Sequence, residues 1–195
     1  MKKTLLFVAL LSCVTVMAQE VEKNIASARS SYDAGKLEDA RYAMEQALKE
    51  IDMAIGKEMI ALLPAKLGTF QAVAGSDAIH TAGSGLGLML GRQYGVEEKG
   101  VKLDIASNSP LVGSLNALLS LPIAGLGNPD QKQVKVQGYK ALLTKSTGDN
   151  GKTGYDLQVP FGSTVMTMHG NDVTEADILA FANAVPLAKI AALAQ

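Results

Sequence analysis

The chain has 195 residues with 18 basic and 19 acidic side chains, a formal net charge of -1, one cysteine, two histidines and no tryptophan. That balance excludes the basic footprint of a nucleic-acid binder, and the scarcity of aromatics argues against a carbohydrate-stacking surface. The length allows one sizeable core in one or two layers.

Lys2 and Lys3 form a positive start and Leu5 to Val16 an apolar run, with compact residues at Val16-Met17-Ala18 before Gln19. This is the pattern of an export signal, residues 1–18, cleaved after Ala18. The run is shorter than the ~20 apolar residues of a membrane span, so the mature chain is expected to be periplasmic or extracellular without a transmembrane segment. Leu10-Leu11-Ser12-Cys13 also resembles a bacterial lipobox, in which Cys13 would carry a lipid anchor. Because apolar residues continue to Met17, cleavage after Ala18 is the expected outcome and the anchor at Cys13 the alternative. Cleavage after Ala18 leaves no cysteine, hence no disulfide.

Residues 19–63 have helical periodicity. Val21, Ile25, Ala28 and Tyr32 recur at steps of three and four, and Leu37, Ala40, Met44, Ala47, Ile51 and Ile55 do so after Ala34-Gly35-Lys36. Gly35 is placed to end the first helix in a left-handed conformation. Gly56 is a candidate bend or break in the second, and Pro64 stops it. Tyr32, Gly35, Leu37, Ala40 and Ala47 stand at the spacing of one tetratricopeptide-type helical hairpin, which this segment resembles. No second copy is present, and a solenoid needs about three units, so a peptide-binding array is not expected. The hairpin is expected to dock its apolar face on a sheet formed by the rest of the chain.

Residues 64–195 read as an α+β domain. Leu67 to Val73 is expected to be a short strand and Ser76 to Gly85 a loop. Leu86 to Gly95 is a strand with Leu86, Leu88, Leu90, Arg92 and Tyr94 on one face and mostly glycine on the other, which admits close approach by a backbone or a ligand. After a turn at Val96 to Gly100, Val101, Leu103 and Ile105 alternate as its partner. Ser109-Pro110 signals a helix start and Leu111, Leu115, Leu118 and Leu119 its apolar residues; Ile123 to Asp130 is a loop. Gln133 to Gly170 is the strongest β signal, three or four segments separated by glycine turns. Thr174 and Asp177 form a capping-box pattern, and the last helix buries Ile178, Phe181, Ala182 and Val185, with Pro186 kinking it or starting another that carries Leu187, Ile190 and Leu193. Leu63-Pro64 with Gly68, Gly85 through Arg92 and Tyr94, Asn108-Ser109-Pro110 and Gly138-Tyr139-Lys140 together resemble uncharacterised exported bacterial envelope proteins. The expected fold is an antiparallel sheet of about six or seven strands with helices mainly on one face, preceded by the helical hairpin.

No catalytic constellation emerges. Ser146 to Thr153 lacks the first glycine of a phosphate loop and runs into a strand instead of a helix; Asp149-Asn150-Gly151 reads as a hairpin turn. Gly83-Ser84-Gly85-Leu86-Gly87 lacks the dinucleotide spacing, and no serine has the nucleophile-elbow pattern. His80 and His169 have no histidine or cysteine neighbour, so no metal site or cofactor is expected. Asp104 and Asp156 read as solvated strand residues. Arg92 shares an apolar strand face, where it snorkels at the edge or lines an anion pocket, and Arg92, Tyr94 and His169 are the candidate ligand-facing residues. The expected function is that of a non-enzymatic envelope protein that binds another protein or supports an assembly. The alternative is a carrier or sensor of a small apolar ligand held between sheet and helices, with Met89, Met166 and Met168 as adaptable lining.

Overall fold

The computed structural model of the chain describes residues 19–81, 87–121, 128–147 and 151–194. The expected export signal with Cys13, Gly83 to Leu86, most of the loop from Ile123 to Asp130 and the Asp149-Asn150 part of the hairpin tip lie outside the described residues. The fold is α+β, two N-terminal helices followed by an antiparallel sheet with helices. Two compact units can be distinguished, Met1–Ile55 with Thr81–Leu86, and Gly56–His80 with Gly87–Gln195.

In the first unit, helix α1 (residues 19–33) is followed by α2 (Leu37–Leu62). Gly35 takes the left-handed conformation expected of it, with φ of 73°. Lys36 N–H donates to the Ser31 carbonyl and Gly35 N–H to the Tyr32 carbonyl, both at 2.9 Å, which is the Schellman pairing that satisfies the last carbonyls of a helix. Ala28, Ala40, Ala43 and Ala47 are buried, small residues of the kind that let helices approach closely.

Helix α2 runs without interruption through Gly56 and ends before Pro64. The break expected at Gly56 is absent because this glycine serves packing: a Cβ there would lie 2.6 Å from Ile79 Cγ2 and 3.2 Å from Leu88 Cδ1. The strand expected over Leu67 to Val73 is instead a small hairpin, β1 (Lys66–Leu67) with β2 (Phe70–Gln71). Gly68, at φ 56°, reverses the chain between them, and its missing side chain leaves room for the Phe181 ring.

The main sheet has seven strands: β3 (Ala78–Thr81), β4 (Leu88–Val96), β5 (Lys99–Ala106), β6 (Gln131–Val136), β7 (Tyr139–Thr147), β8 (Thr153–Phe161) and β9 (Thr164–Asn171). Their order is β3-β4-β5-β9-β8-β7-β6. Strand β3 falls where the sequence predicts a loop; its four residues are too few for an alternating pattern to show, and it forms by pairing along β4. The predicted meander resolves into β6 to β9. Gln137 and Gly138 link β6 and β7 with φ of 49° and 88°, the two positive values of a tight hairpin turn. The residues after Lys152 form β8, so the helix that a phosphate loop requires is absent there.

Alternation divides the sheet into two unlike faces. Leu90, Tyr94, Val101, Leu103, Ile105, Leu157, Val159, Met166 and Met168 lie on one and are buried. Helix α4 (Glu175–Ala184) packs on this face, where Gly170 makes room for Val173 and Ile178. It starts with the predicted capping box of Thr174 and Asp177, and Pro186 introduces a separate α5 (Leu187–Leu193) that buries Leu187 and Ile190. On the other face, α3 (Leu111–Ser120) sets Leu115 and Leu119 on Leu142 and Val165. The Ser109 hydroxyl accepts from Leu111 N–H at 3.3 Å, as the predicted helix start requires. Next to α3, the same face carries Gly91, Gln93, Lys102, Asp104 and His169 from β4, β5 and β9.

Candidate functional site

The three candidate ligand-facing residues do not come together. Arg92 is opposite Leu103 and Tyr94 opposite Val101, on the buried face; Lys102 is opposite His169, on the other. Arg92 is bound on every side. Its Nε and Nη2 donate to the two Asp77 oxygens at 2.6 and 2.8 Å, and Nη1 donates to the Leu63 and Pro64 carbonyls at 3.0 and 3.4 Å. The Tyr94 hydroxyl donates to the Pro64 carbonyl at 2.9 Å. These carbonyls come directly after α2, where backbone acceptors lack helical partners. Arg92 and Tyr94 thus fasten the helix end to β4. The guanidinium holds the Asp77 carboxyl below the usual carboxylate range, and burial pushes the Tyr94 phenol up. Asp77 carries no signal as a partner in the sequence, because only the return of the chain through β3 places it beside Arg92.

His169 occupies a different setting. Register on the open face sets Gln93, Lys102, His169 and Asp156 in one row across β4, β5, β9 and β8. His169 Nδ1 lies 2.8 Å from Asp156 Oδ1, and Lys102 Nζ lies 3.0 Å from Asp104 Oδ2. The hydrogen bond to Asp156 raises the His169 pKa above the ordinary histidine value, against a smaller opposing effect of burial. A nitrogen tied to a carboxylate fixes the ring orientation and leaves Nε2 for another partner. The tight Gly162-Ser163 turn fixes this pairing: it sets Phe161 against Thr164 and, farther along, Asp156 against His169. The sequence contains that register, although Asp156 alone reads as a solvated residue.

Two depressions adjoin on this face. One, about 390 Å3, is lined by Gln93, Glu97, Gly100, Lys102, His169 and Asn171. The other, about 270 Å3, is lined by His80, Met89, Gly91, Asp104 and also Arg92, and shares Gln93 and Lys102 with the first. Met89 is 54% exposed here, whereas Met166 and Met168 are fully buried in the core. The methionines singled out in the sequence therefore belong to two faces. A larger cleft of about 750 Å3 lies between β1–β2, the β7–β8 tip and the start of α4. Its Lys99 and Lys152 both engage Asp172, at 3.6 and 2.9 Å, and the first turn of α4 is closed by its own capping box.

A third surface lies on α2. Leu37, Met44, Leu48 and Ile51 recur at steps of seven, four and three and are 63, 45, 47 and 40% exposed. This is the spacing of a helix-pairing seam, and it is distinct from the buried stripe of Ala40, Ala43 and Ala47. Glu38, Glu45 and Asp52 run along one edge of it at seven-residue steps; partial burial pushes the Asp52 carboxyl up.

Among the described residues no group of three or more His, Cys, Asp or Glu is placed to hold a metal ion, and no single helix is long and apolar enough to cross a membrane. Comparison with protein-family models, curated proteins and solved structures returns no match.

Proposed function

We propose that this is an exported, non-enzymatic envelope protein whose work is to bind another protein, and that the exposed seam of α2 is the surface it uses. The observation that carries this reading is the run of Leu37, Met44, Leu48 and Ile51, each at least 40% exposed at helix-pairing spacing. Large apolar side chains scattered singly on a surface need no explanation, but a contiguous row marks an interaction site. Glu45 is already paired with Arg41 at 3.0 Å, so Glu38 and Asp52 are the acidic groups that select the partner: an amphipathic helix whose apolar seam is flanked by Lys or Arg. Antiparallel self-pairing would set this acidic edge against itself, and like charges across a seam act against the wrong partner. Export is supported by the sequence alone, through Lys2-Lys3, the Leu5 to Val16 run and the site before Gln19.

A photo-crosslinking residue at Leu48, introduced in envelope-producing cells, tests the binding surface. The expected result is an adduct whose partner peptide is a basic amphipathic helix, lost on Ile51→Glu while the circular dichroism spectrum is kept. A crosslink between two copies of this chain, or no adduct at all, overturns the proposal. N-terminal sequencing of the exported protein should begin at Gln19; a lipid-modified Cys13 would show the alternative processing.

A further inference from the structure

The open sheet face holds a second surface, independent of the α2 seam. Lys102, His169, Gln93 and Asn171 line the 390 Å3 depression, together with Glu97. The carboxylates that hold the two cations, Asp104 and Asp156, do not line it. Each orients a cation from outside the depression and leaves donors over. Lys102 has three N–H groups, of which the contact to Asp104 needs one. His169 binds Asp156 through Nδ1, so Nε2 remains. Asn171 Nδ2 donates to the Glu97 carbonyl at 3.2 Å with one of its two hydrogens. Lys102 and His169 are direct cross-strand neighbours, and Asn171 is paired with Gly100 in the adjoining row. Lys102, His169 and Asn171 thus line one depression from two neighbouring strands. The volume lies within the range of small-molecule sites, about 300 to 1,000 Å3.

The adjoining depression mixes the apolar Ala78, Met89 and Leu90 with the polar Ser76, His80 and Asp104. Met89 and Gly91 both line it, and Met89 is half-exposed. A Cβ at Gly91 would lie 2.7 Å from Asp104 Oδ1; with glycine there, the Asp104 carboxylate lies flat on the sheet, where Lys102 reaches it.

We propose that this face binds a small organic carboxylate, its carboxylate group held by Lys102, His169 and Asn171 and its apolar part extending toward Met89. The ligand sits on the open side of the sheet, away from the helix-covered core. Two carboxylates oppose it among the described residues, Glu97 in the 390 Å3 depression and Asp104 in the adjoining one.

Nuclear magnetic resonance titration of the purified protein with hexanoate, acetate and inorganic phosphate tests this, with the His169 ring and the Met89 methyl group as reporters. Hexanoate should move both signals with a Kd on the order of 1 mM. Acetate should move His169 alone and bind about fivefold more weakly, since it lacks the apolar chain. Lys102→Met with His169→Gln should abolish the Met89 response at an unchanged thermal midpoint, and Glu97→Gln, which removes no donor, should tighten hexanoate binding. Silent reporters at tens of millimolar hexanoate overturn the proposal. So does phosphate binding as tightly as hexanoate, a Met89 signal that does not move, or a Glu97→Gln variant that binds more weakly.

Discussion

Arg92 with Asp77 and His169 with Asp156 are both cation–carboxylate pairs on neighbouring parts of one sheet, yet they do opposite things. The Arg92 side chain is 13% exposed and also holds the carbonyls after α2. The His169 side chain is 50% exposed and touches nothing but Asp156 among the hydrogen bonds described. A pair enclosed against a helix end has become part of the framework. A pair on the open face fixes one nitrogen and presents the other. Which of these a charged residue does was decided by strand parity, since one step along the chain moves a side chain from one face to the other.

Arg92→Met should break this contrast most visibly. It strands Asp77 and the Leu63 carbonyl, while the Pro64 carbonyl keeps the Tyr94 hydroxyl; with Asp77 43% exposed, a loss of about 2 kcal/mol is expected, read by urea unfolding. His169→Gln should change stability by less than about 0.5 kcal/mol, as exposed pairs do. Equal losses in the two variants would erase the distinction. Tyr94→Phe should cost about 1 kcal/mol, the hydrogen bond to Pro64, measured the same way.

The pairs should also differ in the sign of their pH dependence. The folded pKa of Asp77 is lowered, so its contribution is present above the unfolded value and is lost as pH falls through the folded one. The folded pKa of His169 is raised, so its contribution is full below the unfolded histidine value and is lost as pH rises through the folded one. Both effects are small, because Asp77 and His169 are well exposed and solvent screens them. Thermal midpoints of the wild type and the Asp77→Asn variant should converge at acid pH. The His169 ring titration should have a midpoint above that of an ordinary histidine and move down in Asp156→Asn; an unmoved midpoint would remove Asp156 as the orienting partner.

The long strands were legible because each has one buried face: Val101, Leu103 and Ile105, or Leu157, Val159 and Phe161, leave a period-two record in the sequence. Gly35, the Thr174–Asp177 box and Pro186 were legible because their effects are local. Strand β3 was not, since Ala78 to Thr81 takes its conformation from β4. The packing role of Gly56 was not legible for a similar reason: the residues that require a glycine there, Ile79 and Leu88, are remote in sequence. The apolar residues of α3 announced a helix but not which face of the sheet it would cover. For the candidate site, the place of His169 at the end of a strand was readable. Its partners Lys102 and Asp156 required the pairing of β9 with both neighbours, only one of which is a hairpin.

That last pairing has a kinetic consequence. In the order β3-β4-β5-β9-β8-β7-β6, β4 with β5 and β6 through β9 are joined by short turns, while β5 and β9 are brought together from distant parts of the chain. Distant pairing carries the larger loop-closure entropy, so the β5–β9 seam should form after the transition state. Truncating Leu103 or Met168, which face each other across it, should then speed unfolding far more than it slows folding; a slowed folding limb would place the seam in the nucleus instead. Lys102 and His169 also meet across this seam. A ligand held by both would bridge this late-forming seam, and so would prolong the lifetime of the native state.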